Sequence, residues 1–325
     1  MSPETFYDTL AIKRSDDSSS LDNIFGYNAS DVESEKEVMT SSTVDMDKIN
    51  SHMRKFEQAL DSGARRYDCI DNYHTLMPNE INLLFSSITN KGSNHFSFPW
   101  ALGEFFSNII QKSYCGGNND FILNTASYPG VDNLCGKICG TKERPIKISI
   151  KGDVNNYFAS LSKYLDVSLD GNVGYESFQE AKDINLKLKG NLGKDFGYNS
   201  KNINILVGGN VDWGFGSHSK NIAAFIKGDV GQNFGSRSIN LTATILGNAK
   251  VYFGNGSDNF DAVIKGHVEG PFLSKCNNYL ALVGEGIKGW NYVDQSQTLI
   301  LNDEAKFNPT YIARINEIHK RLKEW

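Results

Sequence analysis

The chain lacks the features that several large protein classes require. No run approaches the ~18 consecutive apolar residues of a membrane-spanning helix, and no apolar segment follows the first residues, so neither membrane insertion nor secretion is expected. Lysine and arginine form no cluster or stripe, and the net charge is −5. Binding to nucleic acid therefore lacks its electrostatic driver. Cysteines are few and odd in number, at Cys69, Cys115, Cys135, Cys139 and Cys276, which excludes a fully paired disulfide framework and fits a reducing cytoplasm. The 6 histidines are scattered, with no paired spacing that would support a zinc site around Cys135 and Cys139.

Glycine, by contrast, is abundant and ordered. It recurs every 19 residues at Gly152, Gly171, Gly190, Gly209, Gly228, Gly247 and Gly266, and Glu285 holds the next slot. A fixed short period marks a solenoid, in which each repeat is one coil and stacked coils bury a shared core. Counting from that glycine, the residue two on is always apolar, as in Val154, Val173, Leu192 and Val211. Offsets thirteen, fifteen and seventeen are also apolar, as in Leu165, Val167 and Leu169 or Ile203, Ile205 and Val207. That alternation has period two and predicts a β-strand with one face inward. Each such side chain contributes roughly 1.5–3 kcal/mol when fully buried.

Other rows mark the turns. An aromatic sits six after the glycine at Phe158, Phe196, Phe215, Phe234, Phe253 and Phe272, and one later at Phe178. A second glycine follows at Gly197, Gly216, Gly235 and Gly254, which suggests a left-handed or tightly packed backbone site. Asparagine recurs at offset twelve (Asn202, Asn221, Asn240, Asn259, Asn278), with a serine two before the first four and Cys276 before the last. Stacked asparagines suit hydrogen bonds from coil to coil, and turn stabilisation explains the row better than a binding strip does. An Asx row follows the first glycine from Asp153 to Asn248. Calcium-binding rolls share such repeats but need a carboxylate in nearly every coil, and asparagine predominates here.

The coil Gly228, Asp229, Val230, Gly231, Phe234, Gly235, Ser238, Asn240, Ile245, Gly247 resembles the glycine-rich repeat of the GXGXG family. That family includes the C-terminal domain of the large glutamate synthase subunit and the C subunit of formylmethanofuran dehydrogenase. The resemblance covers roughly residues 133–285, with Asn133, Leu134, Cys135, Gly136 and Gly140 as a degenerate first coil in the same register. It implies a right-handed parallel β-helix with a mainly structural role, and carries over no catalytic residue. The family's Met-x-Gly-Gly is replaced by Ser-x-Asn here. Hexapeptide helices do not fit the spacing, and constant coils leave no room for the active-site loops of pectate-lyase-like helices.

Residues 1–43 hold nine acids and three bases and little periodicity, and read as a disordered acidic tail. Residues 44–130 read as a helical cap domain. One stripe runs through Val44, Met46, Ile49, Met53, Phe56 and Leu60, and further helices are expected to begin near Pro78 and Pro99. Residues 131–303 form the expected β-helix of eight or nine coils. Residues 304–325 read as an amphipathic helix, with Tyr311, Ile315, Ile318, Leu322 and Trp325 on one side. The expected fold is thus mainly β: a parallel β-helix solenoid with a helical N-terminal cap and a C-terminal amphipathic helix.

The outward strand offset sixteen turns apolar toward the C-terminus, through Leu206, Phe225, Val263 and Leu282. Together with the C-terminal helix face, this stripe is the candidate interaction surface. The expected function is a non-enzymatic scaffold or protein-interaction module, with a protein partner or a second copy and with no cofactor, metal, nucleic acid or membrane. The alternative is a structural subunit of a redox or amidotransferase-type enzyme complex, by resemblance. A third reading places an enzyme on the helical domain, with Cys115, His74 or His95 as candidates.

Overall fold

The computed structural model describes residues 44–61, 74–284, 287–288 and 298–300. The tail at 1–43 and the C-terminal segment carrying Tyr311, Ile315, Ile318, Leu322 and Trp325 lie outside the described residues.

Three helices open the described chain: α1 (Met46–Asp61), α2 (Pro78–Lys91) and α3 (Phe98–Cys115). The last two begin at the expected prolines, whose fixed φ and missing N–H suit a first turn. Asp45 caps α1, its carboxylate accepting the Asp47 and Lys48 amides at 3.1 and 3.2 Å. The Lys48 amide is the main reason its carboxyl lies below the usual range. Val44 and Met46 are exposed, so the buried stripe starts at Ile49: Val44 precedes the helix, and Met46 is its first residue. The buried Glu80 carboxylate accepts the Met77 amide at 2.8 Å and the Asp45 amide at 3.1 Å, which joins the starts of α1 and α2.

Burial also lowers the pKa of His52 on α1 from 6.5. Well above pH 6.5 the ring is neutral in both folded and unfolded chains, so it adds no pH dependence there. Below that value the unfolded chain takes up the proton first, and stability falls down to the folded pKa. The fall in melting temperature between about pH 7.5 and about pH 5.5 is expected to be smaller in His52→Leu than in the wild type.

The strands follow as β1 (Asp120–Asn124), β2 (Ile146–Lys151), β3 (Lys163–Asp170), β4 (Lys182–Leu188), β5 (Lys201–Val207), β6 (Lys220–Ile226), β7 (Ile239–Ile245), β8 (Asp258–Ile264), β9 (Val268–Glu269), β10 (Asn277–Val283), β11 (Ile287–Lys288) and β12 (Thr298–Ile300). Ten of them stack in chain order into one parallel sheet, and β9 pairs with β11 apart from it. From Ile146 to Tyr279 the register advances by 19 residues at each of seven steps. At about 4.8 Å per step this regular part is roughly 34 Å long. The ends depart from the period: Asp120 pairs with Lys147, 27 apart, and Ala281 with Thr298, 17 apart. The regular coils therefore number seven rather than eight or nine.

The degenerate first coil is present, but not in the expected register. Cys139 bridges Lys163, 24 residues on, whereas Ile146 pairs with Leu165, 19 on. The difference of five is an insertion at Gly140–Arg144, closed by a turn bond from the Thr141 amide to the Arg144 carbonyl. Upstream of it, Leu134 rather than a later residue takes the place of Phe158, its carbonyl accepting the Ala159 amide at 2.8 Å.

The inward offsets are buried in every regular coil. Offset two makes a second parallel line, with Val154 bridging Val173 and so on to Val268. Between these lines the phenylalanines stack, with Phe196, Phe215, Phe234 and Phe253 nearly parallel at centroid distances of 5.4, 4.6 and 5.0 Å. Phe178 joins from the next position, where Gly197 and Gly216 stand in later coils, and its contacts are tilted or edge-on. That next position is left-handed, at φ 66 for Gly197 and 62 for Gly216, as its glycine suggests.

The offset-twelve asparagines are left-handed too, from φ 49 at Asn278 to 57 at Asn240. Asparagine tolerates this conformation, and its amide bonds the coil before it. Asn221 donates to Asn202 at 2.8 Å, Asn240 to Asn221 and Asn259 to Asn240 at 2.9 Å. Asn221→Ala should cost about 1–2 kcal/mol, by loss of two ladder bonds and by left-handed strain, and Asn221→Gly less. Urea denaturation of the two variants checks the order.

The helices sit at the β1 end. α2 packs along β1, and Asn82 accepts the Asn124 amide at 3.1 Å. α3 lies on the first coil, with the Asp132 amide donating to the Pro99 carbonyl at 3.3 Å and Ser107 Oγ to the Asn133 carbonyl at 3.2 Å. This cap shields the first coil, whose core and strand edge would otherwise stand open.

Candidate interaction surface

Along the outward offset sixteen, Ser168 and Lys187 are exposed, as expected for side chains on the outside of a single sheet. Phe225 and Thr244 are not: they are 4% and 3% exposed. Leu206, Leu246 and Val263 are half-buried and pack against Phe225. Thr244 Oγ1 is buried with no hydrogen-bond partner. Backbone register sets Leu282 beside Val263. Phe225 and Thr244 are thus closed, while Leu206, Leu246 and Val263 reach solvent in part.

The polar rows are occupied by the fold. In the Asx row each side-chain oxygen accepts the amide of the same position one coil on: Asn191 to Asn172 at 2.9 Å, Asn210 to Asn191 at 2.7 Å, Asp229 to Asn210 at 2.8 Å. Either Asp or Asn can do this, which explains their exchange along the row. The offset-ten serines are buried; Ser200 Oγ donates to the Gly197 carbonyl at 2.6 Å and Ser257 Oγ to that of Gly235 at 2.6 Å, while Ser238 Oγ donates to Ser257 Oγ.

Cys135 is buried in the first coil and its thiol is pushed well above the usual range by burial; Cys276 is pushed up to about 12 for the same reason. Neither is poised as a thiolate. Cys115 lies at the C-terminal end of α3, within 3.7 Å of Gln111 Nε2, and His95 lies just before that helix, paired with Ser97 at 2.6 Å. The length of α3, roughly 27 Å at 1.5 Å per residue, separates them, so these two candidates form no dyad. No group of three or more His, Cys, Asp or Glu side chains among the described residues could hold a metal ion. None of the described helices is long and apolar enough to cross a membrane.

One cluster was not legible in the sequence. At offsets four and five, successive coils carry Tyr157, then Tyr175 and Glu176, then Lys194 and Asp195, then Trp213. Backbone bonds lock the row: the Tyr157 amide donates to the Tyr175 carbonyl, Glu176 to Lys194 and Asp195 to Trp213, at 3.0, 2.8 and 2.9 Å. Trp100 of α3 extends it, its ring 5.4 Å from Tyr157, which is 5.6 Å from Tyr175. Trp100, Tyr175 and Trp213 are 43%, 43% and 41% exposed. No residue type repeats at offset four or at offset five in these four coils, so the row leaves no periodic mark in the sequence. Only the coil register, together with the docking of α3, brings these side chains side by side.

Comparison with protein families, curated proteins and solved structures finds no match.

Proposed function

We propose that the chain is a non-enzymatic scaffold or protein-interaction module of the cytoplasm, built on the β-solenoid. The observation that carries this reading is the contrast between its rows. The polar ladders spend their hydrogen bonds within the fold, while aromatic side chains on a register-locked backbone stand open to solvent. Tyrosine and tryptophan held rigidly at a surface are what protein interfaces favour. Constant coil length supports the same view, since a long loop that could wrap a substrate has no place in the seven regular coils. Four unpaired cysteines among the described residues fit a reducing compartment.

The test is affinity capture of the full chain from its native source, followed by titration of the purified partner against the purified chain. A saturable complex of fixed stoichiometry is expected. A partner that is a flavoenzyme or metalloenzyme would assign the chain instead to the structural-subunit role implied by its GXGXG-like coils. Absence of any stoichiometric partner or self-association would overturn the interaction reading.

A further inference from the structure

The row from Trp100 to Trp213 has a chemistry of its own. The charges that act on Asp195 in this row are the carboxylates of Glu176 and Asp212 and the ammonium of Lys194. Glu176 and Asp195 are half-buried at the same offset of adjacent coils. Gly214 makes room for Asp195: a methyl group there would sit 2.2 Å from Asp195 Oδ1. Burial, and then the charge of Glu176, raise the Asp195 carboxyl above its ordinary value, with Asp212 adding to this and Lys194 opposing it. A second cation beside this pair would lower that electrostatic cost. The row already holds one cation by this chemistry, since Lys194 Nζ lies 5.9 Å from the Trp213 ring centroid.

We propose that this row is a docking site for a basic segment of a partner protein, with arginine or lysine side chains laid on the faces of Trp100, Tyr175 and Trp213 and their charges beside Glu176 and Asp195. The proposal rests on the interaction-module reading and gives it a surface and a partner chemistry. Charge complementarity selects the occupant. Phosphate backbones and anionic lipid surfaces would be repelled by the carboxylates. A saccharide chain stacks on rings that share a plane, but Trp100 and Tyr157 meet at 68° and Tyr157 and Tyr175 at 74°. Neighbouring rings set at these steep angles turn their faces in different directions, which the separate side chains of a flexible basic peptide can meet.

The experiment uses the purified full chain and a fluorescently labelled peptide of alternating arginine and glycine, followed by anisotropy. Saturable binding is expected, weakened about tenfold or more in Tyr175→Ala/Trp213→Ala and in Glu176→Gln/Asp195→Asn. A charge-matched control, Asp120→Asn/Glu143→Gln, should bind like the wild type. Thermal melts confirm folding of each variant. Equal binding by all variants, no peptide binding, or saturation of the site by maltohexaose would each overturn the proposal. A native partner retained at full affinity by both row variants would also sink it, while leaving the interaction-module reading intact. A peptide that binds as expected, in a chain that captures no native partner, would uphold the site and sink the module reading.

Discussion

Replacing Gly190 with alanine is expected to lower the unfolding free energy by roughly 3 kcal/mol, at the upper end of overpacking costs. The reason is the approach of one coil to the next. A methyl group on Gly190 would sit 2.1 Å from the Gly171 carbonyl oxygen, and the obstacle is backbone rather than a side chain that could turn away. The same carbonyl accepts the Gly190 amide at 3.0 Å, so neither chain can retreat without breaking the ladder. The period-setting glycines from Gly171 to Gly266 all meet the preceding coil in this way. Their conservation of type along the chain follows from contact, and none of those six has a left-handed φ. Gly130→Ala is the matched control. There the nearest atoms are those of the Tyr128 ring at 3.7 Å, and little change is expected. Urea denaturation of both variants checks the difference.

Phe234→Ala is expected to cost about 3–5 kcal/mol, the range for removing a buried aromatic ring. Phe234 is fully buried between Phe215 at 4.6 Å and Phe253 at 5.0 Å, and nearly parallel to both. Its loss leaves a gap in the middle of the stack, which the rigid strands on either side cannot close. Because each coil contacts only its neighbours, the loss falls on the two interfaces that Phe234 shares with the coils of Phe215 and Phe253. Phe178→Ala should cost less, because that ring enters from the neighbouring position and meets Phe158 edge-on and Phe196 at a tilt. Calorimetric melts of the two variants test the order; equal costs would contradict the account of the stack.

These two residues also show what the sequence made legible. The 19-residue period, the inward strand pattern and the aromatic row are all fixed by spacing and all stand in the structure. Pro78 and Pro99 marked helix starts for a local reason, the geometry of the first turn. The period alone did not reveal why glycine recurs, because contact between coils is a tertiary property. The first coil was found but set in the wrong register, since the insertion at Gly140–Arg144 breaks the count without changing residue type. The burial of Phe225 and Thr244 in the middle of the outer stripe is a tertiary property, which periodicity does not report. The row from Trp100 to Trp213 was missed because its members differ in chemistry and one comes from a helix.

The proposed role as an interaction module is tested by fluorescence-detected sedimentation of the labelled full chain in an extract of its own source cells. A discrete species heavier than the 36.1 kDa chain is expected, returned to the free position by excess unlabelled chain. Sedimentation at the mass of the free chain, unaffected by competitor, would contradict it.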